Sequence, residues 1–477
     1  MAATVTAPTA SAPATAPAAA PAPPPPTPEA LRALLEQRLA SGQVSGTVPA
    51  AEALVKATPD DPVAWTILGV ALRSNGQPAP AIVAYRRSLA LAPDVGGVLS
   101  NLGNALKDVG RLDEAIAAHY RAVQCDAKNA TTWQNLGVAL RERGDLKDSL
   151  AAFQHVLNLA PDHVTAHTDR AQIRLMLGEF GEGWAEFEWR WKLKELTPPN
   201  YKQPRWTGAA LPEATILLWP EQGFGDTLLG ARYAPLVKER VGRVIIGCQP
   251  ELVRLFRTIP GVDEVLAVGQ TLPGFDVQCP LLSLPGIFGT DLETIPPPVT
   301  VSVSDEARAK LQPAFAPYEN ALKVGIVWSG NVRFKANHLR ATGLERFLSF
   351  AEVPGVQLFS LQKGPRAADL DTIRARAIVV DLAPHLDDFA DTAAALEQLD
   401  LVIMTDSSVA HLAGALNRPV WNLLAYLPYW LYLRERADSP WNPSMRLFRQ
   451  PKPGDWDTVF AAAKTALNEF AAERGYK

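Results

Sequence analysis

Asp406, Ser407, Ser408 and His411 stand together at a spacing that can do chemistry. Leu401 to Thr405, five apolar or β-branched residues, read as a buried strand. Asp406-Ser407-Ser408 carries helix-capping side chains, and Val409 to Leu416 reads as a short helix of small residues. A helix that starts just beyond a parallel strand presents unpaired N–H groups and a positive dipole end, which suits the phosphates of a nucleotide. His411 lies near that end. The same residues also fit an ordinary βαβ corner, in which Asp406 caps and His411 is a satisfied core histidine.

Three further clusters offer complementary chemistry. Glu221-Gln222-Gly223-Phe224-Gly225-Asp226 follows a strand at Thr215 to Trp219, and its glycines let backbone approach a ligand closely. Moving a group from a phosphate to a hydroxyl needs a base for the acceptor and charge stabilisation for the departing phosphate. Asp226 can supply the base or cap the helix that follows, and Glu221 is the second carboxylate of the loop. Ser329-Gly330-Asn331 leaves the strand Lys323 to Trp328 as a phosphate-binding turn would. Lys335, Arg340 and, beside Gln362 at the end of the strand Val356 to Ser360, Lys363 could neutralise a leaving nucleotide. The Asp387-Asp388 pair falls at a helix start, where acids complement the dipole, so no metal site is read there.

In their order along the chain, Glu221 to Asp226, Gly325-Ile326-Val327-Trp328-Ser329-Gly330, Ser360 to Gly364 and Asp406 to His411 resemble the heptosyltransferase-like (glycosyltransferase family 9-like) sugar transferases fused to tetratricopeptide repeats. The resemblance implies a metal-independent body of the GT-B type, two Rossmann-like domains facing a cleft. It implies that Asp226, matching the Gly-Asp step of heptosyltransferases, is the catalytic base, with Gln222, Gly223 and Gly225 shaping its loop. Ser329, Asn331, Arg340, Gln362, Lys363, Asp406, Ser407, Ser408 and His411 would form the donor side; heptosyltransferases usually carry glycine where Ser408 stands. No cofactor is expected, the nucleotide-activated sugar being a substrate.

The elements that must position these residues come in two styles. Trp65, Leu99 and Trp133, then Leu68, Leu102 and Leu136, then Gly69, Gly103 and Gly137, then Gly76, Gly110, Gly144 and Gly178 recur with the period of about 34 residues that marks tetratricopeptide repeats. Ala81, Ala115, Tyr85 and Phe153 fill second-helix positions. Pro59, Pro93 and Pro161 close repeats, and Ala127 replaces that proline once. Residues 62–163 hold three good repeats, flanked by a degenerate one at 28–61 and another from 164. Stacked helix pairs of this kind usually receive an extended peptide on a concave face. Asn101 and Asn135 occupy one position in consecutive repeats, where the arrays of O-linked N-acetylglucosamine transferases carry an asparagine ladder. Amides can bind a peptide backbone without reading its sequence, though two solvated polar residues fit equally; Ile67 and Asp169 stand where further rungs would be.

Glu179 to Trp191 reads as an aromatic-rich helix that joins the repeats to the body, followed by a proline-rich linker. Strands are predicted at 215–219, 244–248, 265–268 and 275–277, with helices at about 226–238 and 250–258. A second α/β series follows, with strands at 323–328, 356–360, 377–380, 401–405 and 446–448 and a closing helix at 456–473. Such alternation implies parallel sheets covered on both faces. The expected domains are a disordered Ala/Pro-rich tail at 1–27, repeats and capping helix at 28–195, an acceptor-side Rossmann-like domain at 196–312 and a donor-side one at 322–477.

Composition removes other classes. In 477 residues the net charge is −4 and no arginine-rich block interleaves with aromatics, so the footprint of a nucleic-acid binder is missing. Cys125, Cys248 and Cys279 are too far apart for structural zinc and read as reduced thiols. No 18-residue apolar run is present to span a membrane. The expectation is a cytoplasmic glycosyltransferase whose repeats hold a polypeptide acceptor. Relatives with this layout include bacterial flagellin glycosyltransferases using CMP-activated nonulosonic acids, which points to a Ser or Thr of flagellin. A lipid or polysaccharide acceptor, or a repeat adaptor with an inactive transferase body, are the alternatives.

Overall fold

The computed structural model describes residues 26–334 and 337–476. The expected tail at 1–27 lies outside them except for Pro26 and Thr27, and so does Lys335. The chain forms two compact units, Met1–Ala127 and Lys128–Lys477.

The first unit is built from helix pairs: Pro28–Ala40 with Thr47–Ala57, Pro62–Ser74 with Pro78–Leu91, and Gly96–Asp108 with Leu112–Cys125. Local chemistry sets their limits. Thr27 and Asp61 cap the helices that follow, each with proline in the first turn, where its missing N–H costs nothing. Gly76 and Gly110, with φ of 73° and 77°, take the left-handed turn between the helices of a pair. The periodic glycines have a second use. A Cβ on Gly69 would stand 2.4 Å from the Tyr85 ring, and one on Gly103 2.6 Å from the His119 ring. His119 therefore takes the place that Tyr85 holds in the preceding pair. It is fully buried, and neither ring nitrogen has a partner among the described residues.

The second unit opens with the pairs Ala130–Arg143 with Leu146–Leu159 and Val164–Leu177 with Phe180–Phe187, where Phe153 fills the aromatic position against Gly137. A short turn, Glu188–Lys192, leads to two wholly parallel sheets. The first contains β1 (Leu211–Trp219), β2 (Val241–Cys248), β3 (Glu264–Ala267) and β4 (Val277–Pro280) in the order β3-β2-β1-β4. The second contains β5 (Leu322–Val327), β6 (Val356–Ser360), β7 (Val379–Asp381), β8 (Leu401–Thr405), β9 (Val420–Leu424) and β10 (Met445–Arg449) in the order β10-β9-β8-β5-β6-β7. That is the doubly wound order, whose crevice opens beyond the carboxyl ends of β5 and β8.

Several boundaries differ from expectation for identifiable reasons. β4 starts at Val277, two residues later than expected, and Asp276 just before it donates its N–H to the Thr215 carbonyl and receives the Thr215 N–H on its carboxylate, each at 2.8 Å. The helix expected at 226–238 begins at Phe224 and breaks into Phe224–Ala231 and Ala234–Lys238, since Pro235 cannot donate to a continuous ladder. Only Pro250–Phe256 is helical in the stretch expected at 250–258. β7 lies two residues later than expected at its start. Helix Asp305–Phe315 packs on helix Phe389–Gln398 of the second sheet's layer, with Arg308 paired to Glu397 at 2.7 Å.

The cap helix Phe180–Phe187 packs between the repeats of this unit and the sheets. Trp184 donates its indole N–H to the Thr290 carbonyl at 2.7 Å and meets Trp430 edge-on with centroids 5.2 Å apart. One continuous apolar core runs from Leu146 and Phe153 through both sheets, and a second lies between the outer face of β5–β9 and the closing helix Trp456–Glu473.

His119 makes the first unit acid-sensitive. Burial, helped by Lys107 and Arg73, pushes its pKa down to about 4. The unfolded chain binds a proton near pH 6.5 that the folded one refuses until about pH 4, so stability is full above 6.5 and lost as pH falls through that window. At pH 5 the loss is about 2 kcal/mol. Replacing His119 by Phe should remove the acid-induced loss of hydrogen-exchange protection in residues 96–125; persistence of that loss would place the sensitive group elsewhere.

Candidate active site

β1 ends at Trp219, and the chain turns through Glu221 to Gly223 into helix Phe224–Ala231. Gly223 is the N-cap, and Asp226, in the first turn, receives the Gly223 N–H at 3.1 Å. Asp226 thus supplies the acid's half of a capping box, the glycine N-cap having no side chain to return the bond. Its other oxygen accepts the Tyr429 hydroxyl at 3.2 Å. The half-buried carboxyl is pushed up to about 6 by burial, against the pull of these two bonds, with Glu221 and Asp406 adding negative charge.

From the second sheet, β8 delivers Asp406 and the helix Ser408–Ala415. Ser407 is the N-cap without a side-chain capping bond, and its Oγ is buried with no partner among the described residues. Asp406 does not cap either: it accepts the Tyr432 hydroxyl at 2.7 Å and faces Arg340 at 3.5 Å. His411 is buried, its Nδ1 is without a partner among the described residues, and burial pushes its pKa down to about 4, so the ring is neutral at pH 7. The helices of the two sheets pack against each other here. A Cβ on Gly225 would lie 2.9 Å from the His411 ring and 3.7 Å from Ser408 Cα. Only glycine allows this approach.

The structure therefore brings Asp226, Gly225, Asp406, Ser408 and His411 together. Other expected residues serve the walls. Glu221 is closed inside a pair with Arg190, at 2.5 and 2.9 Å, and accepts the Leu282 N–H at 3.1 Å. Burial lifts its carboxyl pKa against the pull of Arg190, while Arg190, opposed by burial, is raised by Glu221 and Glu188. Gln362 accepts from the Trp328 and Ser329 N–H groups and donates to the Ser329 and Lys363 carbonyls. It is a staple under the β5 turn. The Lys363 ammonium donates to the carbonyls of Ala383 and Leu386 at 2.9 and 2.7 Å. Ser329 is buried, its hydroxyl held by Asn337, and Asn331 receives the Arg333 N–H in an exposed turn. Gln222 is exposed and offers its carbonyl to Gln249.

A cavity of about 560 Å³ lies beside this turn, lined by Val332, Phe334, Asn337, Thr342 and Arg366 among others. Asp388 caps helix Phe389–Gln398 and pairs with Arg254. Asn101 and Asn135 are half-buried on first helices, one in each compact unit. Of the remaining rung positions, Ile67 is buried and Asp169 is bound by Arg141 and Gln134.

Sequence reasoning missed Tyr429, Tyr432, Arg190 and Arg232. Arg232 is a buried guanidinium that donates to the carbonyls of Leu229, Pro296 and Trp441. The one usable signal was Tyr429-Trp430-Leu431-Tyr432, an aromatic run after a parallel strand.

Two tetratricopeptide repeat models match residues 32–96 and 94–162, and the model of glycosyltransferase family 9 (heptosyltransferase) matches residues 354–429. Protein FlbA of Caulobacter vibrioides is 28% identical over 340 residues, 64% of this chain and 55% of FlbA. The chain thus spans about half the length of that curated relative. Among solved structures, MamA aligns at 20% identity with a TM-score of 0.31 over 34% of this chain and 95% of MamA. PilF of Pseudomonas aeruginosa aligns at 20% with a TM-score of 0.32 over 34% and 75%.

The two carboxylates of the first loop differ testably. Glu221→Ala leaves the buried Arg190 charge without its main partner and should cost about 3–5 kcal/mol of stability. Asp226→Ala removes a cap-type bond and the acceptor of the Tyr429 hydroxyl but leaves no buried charge unpaired, and should cost about 1–2 kcal/mol. Denaturant midpoints compare the two; equal losses would remove the distinction.

Proposed function

Because the chain joins tetratricopeptide repeats to a glycosyltransferase family 9 segment, we propose that it moves a sugar from a nucleotide-activated donor to a Ser or Thr hydroxyl of a polypeptide held by the repeats. Flagellin is the proposed acceptor and a CMP-activated nonulosonic acid the proposed donor. The observation that supports this reading best is Asp226, a carboxyl lifted to about 6, beside the start of a second helix from the opposite sheet.

In this reading the acceptor hydroxyl gives its proton to Asp226 as its oxygen attacks the anomeric carbon, and the bond from that carbon to the nucleotide phosphate breaks. A carboxylate with a pKa near 6 is largely ionised at pH 7 yet more basic than an ordinary aspartate, which favours proton acceptance. The departing phosphate meets the first turn of helix Ser408–Ala415, the free Ser407 hydroxyl and the neutral His411 ring, all of which can donate hydrogen bonds. Arg340 supplies positive charge at the rim. The heptosyltransferase description of the matching family model favours a second reading, a saccharide acceptor on a lipid or polysaccharide.

Intact-mass analysis of flagellin separates the two. Cells carrying the protein should yield flagellin heavier by whole sugar residues than cells without it, and Asp226→Ala should abolish the increment. Unchanged flagellin mass, with an altered surface saccharide, would establish the second reading. In purified enzyme, Asp226→Ala should lower turnover about 10²- to 10⁴-fold. Wild-type kcat/KM should fall as pH drops through about 6, because protonation removes the base. His411→Ala should weaken donor-nucleotide affinity in calorimetric titration; unchanged affinity would take His411 out of the donor site.

A further inference from the structure

The segment between β9 and β10 touches four parts of the second unit at once. At one end, the Tyr426 hydroxyl donates to the Arg143 carbonyl at 3.1 Å, at the last turn of helix Ala130–Arg143. Gly144, the residue that ends that helix with φ of 94°, is pressed against the same side chain: a Cβ there would lie 2.7 Å from the Tyr426 hydroxyl and 2.9 Å from Arg434. Arg434 stacks on the Tyr426 ring at 4.5 Å and donates to the Tyr426 carbonyl at 2.6 Å. In the middle, Tyr429 reaches Asp226 of the first sheet's loop and Tyr432 reaches Asp406 of the second sheet. Between them Trp430 is buried against Trp184 and Phe187 of the cap helix. Leu433 is held at φ of 53°, a conformation that a bulky residue keeps only where its surroundings over-determine it.

We propose that residues 426–434 form a positioning strap, seated on the repeat helix Ala130–Arg143 through Tyr426, which holds Asp226 through Tyr429 and Asp406 through Tyr432. One segment thereby fixes two carboxylates that come from different sheets, and its seat is a repeat rather than the transferase body. Tyr429 is a positioning residue: its hydrogen bond favours the ionised form of Asp226 and fixes the direction in which the free lone pairs point. A change at the 143–144 end of the repeat is transmitted to Asp226 through less than ten residues of tightly packed chain. The inference deepens the reading of Asp226 as the base, and its test needs neither donor nor acceptor, so it can fail while the transfer reading stands.

The test follows the Asp226 carboxyl directly, in full-length protein carrying ¹³C at its aspartate carboxyls, with the Asp226 signal identified by its absence in Asp226→Asn. Tyr429→Phe removes one hydroxyl and should raise the Asp226 titration midpoint by about half to one pH unit, the equivalent of one lost hydrogen bond. Tyr426→Phe, at the far end of the strap, should move the midpoint in the same direction by about 0.3 unit, and Gly144→Ala, which pushes on Tyr426 from the repeat, should also displace it. Near-ultraviolet circular dichroism confirms native packing in the hydroxyl-deletion variants. An unmoved midpoint in Tyr429→Phe overturns the hold on Asp226. A shift in Tyr429→Phe with wild-type titration in both Tyr426→Phe and Gly144→Ala would show that Tyr429 acts alone and that the repeat end transmits nothing.

Discussion

The Arg190 side chain is only 3% exposed and the Glu221 carboxylate it grips 1%. Taking two such charges out of water costs several kcal/mol each, and a buried pair survives only when its remaining donors and acceptors are also met. Here they are: Arg190 also donates to Ser283, the Phe187 carbonyl and Glu188, and Glu221 accepts from the Leu282 backbone. The pair consequently ties together the end of the cap helix, the loop after β1 and the turn after β4. Those last two flank the point where the first sheet reverses its strand order, so the loop that carries Gly225 and Asp226 leaves the sheet from a fixed base. The close packing of Gly225 on His411 depends on that base, because an approach of glycine to an imidazole tolerates little displacement.

The second constraint is electrostatic. The negative charge of Asp406 adds to the cost of ionising Asp226. Both are held by tyrosine hydroxyls, and the choice of donor matters. An arginine against Asp226 would stabilise its carboxylate and lower its pKa below the ordinary range. A neutral phenol satisfies the lone pair while leaving burial as the dominant influence, so the pKa stays near 6. Charged partners are kept off Asp226 itself: Arg340 faces Asp406, and farther out Arg254 pairs with Asp388 and Asp391 and Lys310 with Asp387. Those pairs hold the layers of the two sheets together without perturbing the carboxyl that needs an intermediate basicity.

What the residues disclosed in advance follows from range. The 34-residue period placed every helix pair because each repeat is specified by its own glycines and caps, and the closing helix Trp456–Glu473 was legible from its own periodicity. The loops Glu221–Asp226 and Asp406–His411 were legible as strand-to-helix corners. Tyr429 was not, since it meets Asp226 from 203 residues away and no local pattern records the encounter. Lys363 illustrates the converse: its place at a strand end was readable, but the carbonyls of Ala383 and Leu386 that accept its hydrogen bonds are brought there by tertiary packing. His119 escaped notice because an imidazole fills a ring position that the neighbouring repeats give to Tyr85 and Phe153, and a volume match is invisible in a list of residue types.

The division of the chain bears on how an acceptor would be held. Repeats close on Pro59, Pro93 and Pro161, and the one closing position without proline, Ala127, is where the first compact unit ends. The pair that follows, Ala130–Arg143 with Leu146–Leu159, is a repeat by sequence, yet its core residues Phe153, Val156 and Leu157 belong to the same apolar cluster as the sheets. Burial in that shared cluster joins it to the body formed by the two sheets. Asn135 therefore sits in the unit that contains Asp226, while Asn101 sits in the other. A polypeptide gripped at Asn135 would be gripped by the body that carries the proposed base, and would press on the helix whose last carbonyl anchors Tyr426.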